Sequence, residues 1–198
     1  KSITSVVGNY TNSYVQEYSE YDSKKSGGVT ACHLRFSDKP IRQTYFVQHP
    51  NLIVITKDAY LKDFDPISNI SDDGILIINT VKTEEEFISY LSPYKKVLKD
   101  KNAKVYMINA YELARKCNLG NKISMIMESV IFFVTDLIDY DNALGYLKEF
   151  IKDKFCKKGD EIVKDNILGI KEAPLYLKEV TLDDNYTDLS FEENNILD

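Results

Sequence analysis

Three short runs of uninterrupted apolar residues constrain the fold most: Leu52-Ile53-Val54-Ile55, Ile75-Leu76-Ile77-Ile78 and Val105-Tyr106-Met107-Ile108. Each is too short for a buried helix and apolar on both faces of a pleat, which fits central strands covered on two sides. The segments between and after them read as helices. Lys57 to Phe64 is a short helix or turn. Thr83-Glu84-Glu85-Glu86 is a helix start with acids in the first turn, where the helix dipole favours them. Pro93 interrupts the helical region 84–101. A helix over Ala110 to Cys117 follows the strand at Ala103 to Asn109. Lys122 to Ile138 is apolar almost all round, as a central buried helix would be. Asn142 to Phe155 is amphipathic, and Asp160 to Lys171 is a weaker helix that ends near Pro174.

The first forty residues are read by the same rules. Ser2 to Gly8 has the β-branched content of a strand. Tyr14, Val15, Tyr18 and Tyr21 fall at helical spacing and predict a short amphipathic helix over 12–21, its tyrosines forming a packing face. Val29 to Phe36 predicts a strand with Val29, Ala31, His33 and Arg35 on one face and Thr30, Cys32, Leu34 and Phe36 on the other. The first face turns from apolar to basic, so the end of this strand is expected to open into a crevice. The class that follows is α/β, a three-layer α/β/α sandwich on a mostly parallel sheet of about five strands. One domain is expected over 1–180. Residues 181–198 carry six acids and no base, an acidic tail or inter-domain linker.

Composition narrows the function classes. The chain of 198 residues has a formal charge of −6, which argues against a general nucleic-acid binder. The longest unbroken apolar run, Val130 to Val134, is far too short to span a bilayer. Cys32, Cys117 and Cys156 are widely spaced and lack any C-x-x-C pair, so no zinc or iron–sulfur site is legible and a reducing, cytoplasmic setting is expected. No Gly-x-Gly-x-x-Gly, P-loop, nucleophile elbow or His-Glu-x-x-His signature is present. His33 is better suited to a structural or ligand-orienting role than to proton transfer.

Charge is distributed unevenly. From Lys24 to His49 the chain holds Lys24, Lys25, Arg35, Lys39 and Arg42 against the single acid Asp38, a local +4 that leaves −10 for the rest. A positive island in an acidic protein focuses field on an anion or on a complementary surface. Within it, Lys24-Lys25-Ser26-Gly27-Gly28 combines charge and donors with a backbone that a ligand can approach closely, and phosphate or a phosphate ester is the natural guest. A solvated lysine turn is the plainer alternative. Arg35, Lys39 and Arg42 nearby favour the anion site, since Arg suits bidentate phosphate contacts. Asn118-Leu119-Gly120-Asn121-Lys122 reads as a tight break with Asn121 as N-cap, either a second anion site or a simple cap.

The string Tyr21-Asp-Ser-Lys-Lys-Ser-Gly-Gly-Val-Thr30, with His33-Leu-Arg-Phe36 and Pro40-Ile41, closely resembles the gamma domain of pyruvate:ferredoxin (flavodoxin) oxidoreductases and pyruvate:NADP oxidoreductases. Ile108-Asn-Ala110, Leu119-Gly-Asn121 and Met125-Ile-Met127 extend the resemblance over roughly residues 1–178. It implies a domain of an enzyme that makes acetyl-CoA and CO2 from pyruvate and coenzyme A, passing electrons to ferredoxin, flavodoxin or NADP through a fused reductase. Thiamine diphosphate and iron–sulfur clusters are implied for other domains of the parent, with no cofactor in this chain, which is not expected to be catalytic by itself. The resemblance implies that the domain packs over the thiamine site and helps hold coenzyme A. Lys1 matches the last residue of a family glycine-rich loop, and Lys24, Lys25, Ser26 and Gly27 are the implied phosphate contacts. Arg35, Asn118, Asn121 and Lys122 are secondary contacts. Other domains of the same chain are the expected partners, in a homodimeric parent. The second reading is an assembly module whose basic island docks a neighbouring domain.

Overall fold

The chain opens with a helix, α1 (Ser2–Tyr10), where β-branched content had predicted a strand. Ile3, Val6 and Val7 are all buried, and this i, i+3, i+4 set lies on one helical face. A strand would have pointed the adjacent Val6 and Val7 to opposite sides, so the buried face overrides local β preference. The computed structural model describes residues 2–21 and 30–182. The acidic segment therefore lies outside the described residues, apart from Thr181 and Leu182.

The expected helix over 12–21 is instead the strand β1 (Tyr14–Tyr21), paired antiparallel with β2 (Thr30–Ser37) in a separate two-stranded sheet. Tyr14 and Tyr18 are four apart, a spacing that suits one face of a helix and one face of a strand equally well. Pairing decides the matter, with Gln16 opposite Arg35 and Tyr18 opposite His33. One face of the hairpin turns inward. Val15, Leu34 and Phe36 pack against the core beneath, while the carboxylate of Glu17 accepts a 2.8 Å hydrogen bond from the hydroxyl of Thr4 on α1.

The main sheet follows as β3 (Leu52–Ile55), β4 (Ile75–Asn79) and β5 (Lys104–Ile108), parallel and in register as the three apolar runs predict. α2 (Glu84–Tyr90) and α3 (Lys95–Asp100) lie between the second and third strands, and Pro93 sits in the 3-10 turn dividing them. Thr83 starts α2 with a complete capping box: its hydroxyl accepts from the backbone N–H of Glu86, whose carboxylate accepts from the N–H of Thr83. After α4 (Ala110–Lys116), α5 (Ser124–Val134), α6 (Tyr140–Phe155) and α7 (Asp160–Glu172), the chain returns as β6 (Leu177–Val180), antiparallel to β5.

Among the described residues the main sheet thus has four strands, in the order β3-β4-β5-β6, rather than about five. Of the five strands read from the sequence, one is α1 and one belongs to the hairpin. The short β6 carries only one buried residue, Val180, and gives no apolar run to find. Three layers are formed as expected. Ile77 and Ile108 face one core with α1 and α4–α7, whereas Ile53, Ile55, Leu76, Ile78 and Val105 face another with Phe87, Leu91 and Leu98. The helix α5 is the centre of the larger core, with Met125 through Phe132 buried without a break.

Candidate functional site

The outward face of the hairpin carries the described part of the positive island. Tyr14, Gln16, Tyr18 and Glu20 of β1 lie beside Ser37, Arg35, His33 and Ala31 of β2, and the loop running through Gln43 to His49 folds back over them. Two contacts hold that loop. Gln16 donates its side-chain N–H to the carbonyl of Gln43 at 2.7 Å. The Nδ1 of His33 accepts the backbone N–H of Val47 at 3.2 Å, which places the imidazole proton on Nε2 in the neutral ring. That Nε2 faces the carboxylate of Glu20 at 3.5 Å, and it has no partner within hydrogen-bond geometry. The His33 ring stacks on Phe46 at 4.7 Å between centroids, and Tyr18 meets Phe46 edge-on. Of the structural or ligand-orienting role expected of His33, this geometry shows the structural one, holding the loop at Phe46 and Val47.

Arg35 sits one row along. Its Nη1 donates to Oε1 of Gln16 at 2.9 Å, and its guanidinium lies over the Tyr45 ring, 5.1 Å from the centroid. An open groove of about 280 Å³ is lined by Arg35, Gln43, Tyr45, Val47, Gln48 and His49. The strand therefore does not end in a crevice at the edge of the main sheet; its basic end forms a groove with a covering loop. Gln16, Gln43, Tyr45, Phe46 and Gln48 carry no periodic or motif signal, and sequence reasoning missed them. The pairing register of β1 with β2 is the one clue that could have placed Gln16 beside Arg35.

The other site residues are not gathered here. Lys1, Lys24, Lys25, Ser26 and Gly27 lie outside the described residues. Asn118, Asn121 and Lys122 lie between α4 and α5, and the geometry there is that of a helix end. Asn118 is left-handed at φ 56 and Gly120 at φ 61. The N–H of Asn118 bonds the carbonyl of Arg115 and that of Leu119 bonds Ala114, the paired bonds of a Schellman cap on α4. The expected N-cap at Asn121 is not formed, because α5 begins at Ser124 with Ile123 before it and no side-chain cap. Leu119 is buried, so the corner is anchored by packing, while Asn118, Asn121 and Lys122 are exposed.

Two further polar constellations were not foreseen. At the ends of β3 and β4, where open sheets tend to bind ligands, Asp58 accepts from the Thr80 hydroxyl at 2.7 Å and from Lys82 at 3.0 Å. Burial would raise the Asp58 carboxyl, but Thr80 and Lys82 outweigh it and hold it below the usual range. Lys82 also lies over the Tyr90 ring at 4.7 Å, so the cluster is internally satisfied. On α5, the carboxyl of Glu128 is 9% exposed and accepts from the hydroxyl of Ser2, while its Oε2 has no partner. Burial pushes this carboxyl up, against the opposing pull of Ser2 and Lys154. Among the described residues no three His, Cys, Asp or Glu side chains converge as a metal site. Cys117 is buried while Cys32 and Cys156 are exposed on separate elements. They do not fit an iron–sulfur cluster. No helix among the described residues is long and apolar enough to cross a membrane.

Comparison with known proteins places this geometry in context. The family model described as pyruvate ferredoxin/flavodoxin oxidoreductase matches residues 2–175. The pyruvate:ferredoxin oxidoreductase of Moorella thermoacetica is 33% identical over 189 residues, covering 95% of this chain and 16% of that protein. The pyruvate dehydrogenase [NADP(+)] of Cryptosporidium parvum is 34% identical over 168 residues, covering 84% of this chain and 9% of that protein. The chain therefore spans less than a fifth of the length of these relatives. Among solved structures, the pyruvate oxidoreductase subunit PORC of Thermotoga maritima superposes with a TM-score of 0.66 at 20% identity, covering 89% of this chain and 86% of that one. At that identity the likeness concerns the fold.

Proposed function

The chain belongs to the pyruvate ferredoxin/flavodoxin oxidoreductase family, and from that premise we propose that it is the gamma domain of an enzyme converting pyruvate and coenzyme A to acetyl-CoA and CO2. Electrons leave to ferredoxin, flavodoxin or an NADP-linked reductase. The observation that carries this reading is the 33% identity along 95% of the chain to a pyruvate:ferredoxin oxidoreductase. The family resemblance assigns thiamine diphosphate and the iron–sulfur clusters to other parts of the parent, and the dispersed cysteines here do not suit a cluster. This domain packs over the thiamine site and holds coenzyme A.

The island supplies the chemistry for that second task. Coenzyme A carries a diphosphate and a 3′-phosphate, and Lys24, Lys25, Ser26 and Gly27 offer two cations, a hydroxyl and an approachable backbone. Lys1, Asn118, Asn121 and Lys122 are proposed as further contacts, while Arg35 is held by Gln16 and Tyr45 in the hairpin groove. The acidic remainder of the chain makes the island the preferred landing point for a polyanion.

Steady-state kinetics of the full-length protein test the reading, with pyruvate, coenzyme A and a redox dye as acceptor. Dye reduction should require both substrates. Replacing Lys24 and Lys25 by Ala removes two charge-assisted contacts and should raise the KM for coenzyme A by about ten-fold or more, with the KM for pyruvate unchanged. Dye reduction indifferent to coenzyme A, or an unaltered KM in the double variant, would overturn it.

A further inference from the structure

We propose that the outward hairpin face, with Arg35 in its groove and Tyr14, Tyr45 and Phe46 beside it, is the surface on which another segment of the same polypeptide docks. That segment presents a carboxylate among apolar side chains. The proposal rests on the reading above, in which the parent extends well beyond these residues.

Single exposed aromatics are ordinary, but here three share one face. Tyr14 is 49% exposed, Tyr45 57% and Phe46 45%. Aromatic side chains and Arg are enriched where proteins meet, and Arg and Tyr are frequent energetic anchors there. The anchors on this face are already immobilised. Gln16 and Tyr45 hold Arg35, and His33 and Tyr18 hold Phe46. Less side-chain freedom is left to lose on docking. Among the described residues the guanidinium has a neutral partner, Gln16, and no carboxylate, so its remaining donors suit an acidic group reaching into the groove. Lys39 and Arg42 lie in the same stretch against Asp38 alone, and Glu20 sits at the far end of the face beside His33. The field at the groove therefore favours an anion.

A face of this kind is a liability on a free domain and a fit for a buried one. The occupant follows from length. The matching relatives are several times longer than the region they share with this chain, 16% of the Moorella protein. Most of a parent of that size is available to cover the face.

Two measurements on the full-length protein test this. The first is photo-cross-linking with p-benzoylphenylalanine in place of Tyr45, followed by peptide mapping. The expected product is a cross-link to an Asp- or Glu-bearing segment of the same polypeptide outside these 198 residues. Cross-links to a second copy, or none to any segment, would overturn the proposal. The second uses the unsubstituted protein and hydroxyl-radical footprinting against the same protein unfolded. A covered face should slow oxidation of Tyr14, Tyr45 and Phe46 by about ten-fold or more, whereas a face left half exposed would slow it only about two-fold and contradict the proposal. The mass of the native polypeptide shows independently whether further chain exists, so failure of the docking face is distinguishable from failure of the family reading.

Discussion

The Nδ1 of His33 accepts the backbone N–H of Val47 at 3.2 Å, tying the loop that covers the hairpin to the second strand of the hairpin itself. Phe46, the residue before Val47, stacks on the same imidazole. One side chain thus sets both the position of the loop backbone and the plane of an exposed aromatic.

Replacing His33 by Ala removes the acceptor and the stacking partner together. The loss of one net hydrogen bond is worth about 1 kcal/mol, to which the ring contact adds, so local opening of the loop should become about ten-fold more frequent. Amide hydrogen exchange at Val47 reads this directly. Exchange at Ile77, in the core of the sheet, should change little, because the hairpin is a separate sheet. Unchanged exchange at Val47 would show that the loop is held by other means.

Glu128 predicts a pH dependence. Burial raises its carboxyl above the ordinary range, so the folded protein binds a proton that the unfolded chain has already released. Its contribution to stability is complete below the unfolded value and is lost as pH rises through the folded one. Between those limits the wild-type chain should become less stable with rising pH. Glu128→Gln keeps an acceptor for Ser2 and removes the charge, so it should flatten that slope and raise stability near neutral pH. Urea melts at a series of pH values check this. A parallel slope in the variant would sink the assignment.

Gly74 precedes β4 in a turn packed under Ile70. A Cβ there would come within 2.6 Å of Ile70 Cγ1 and 2.8 Å of the Ser71 carbonyl oxygen. The side chain could shift but the backbone oxygen cannot move without breaking the turn, whose N–H at Gly74 bonds that same carbonyl. Gly74→Ala should cost about 1–3 kcal/mol, read as a lower urea midpoint at constant slope.

The central sheet was legible because its strands are buried on both faces. Leu52–Ile55, Ile75–Asn79 and Lys104–Ile108 follow from apolar runs that few other structures can satisfy. The capped start of α2 was equally readable, since Thr83 and Glu86 are local partners. Within the first forty residues the strand read over Val29 to Phe36 matches β2, but α1 and β1 were not legible, for a physical reason. The helix α1 is chosen by what Ile3, Val6 and Val7 bury against, and β1 by its pairing with the strand that begins at Thr30. Both depend on distant contacts that a window of sequence does not contain. In the site, charge identified Arg35 and the basic stretch, and alternation placed His33 on the same face. The loop residues that complete the groove were silent, because Tyr45, Phe46 and Gln48 are positioned by two hydrogen bonds and a stack rather than by any periodicity.

The claim that the basic island is a coenzyme A phosphate site is tested most directly by calorimetric titration of the full-length protein with coenzyme A and with 3′-dephospho-coenzyme A. The unsubstituted protein should bind coenzyme A about ten-fold or more tightly than the dephospho form, one charge-assisted contact's worth. Replacing Lys24, Lys25 and Ser26 together by Ala should erase that difference. Equal affinities in the unsubstituted protein, or a preference that survives the triple replacement, would contradict the account.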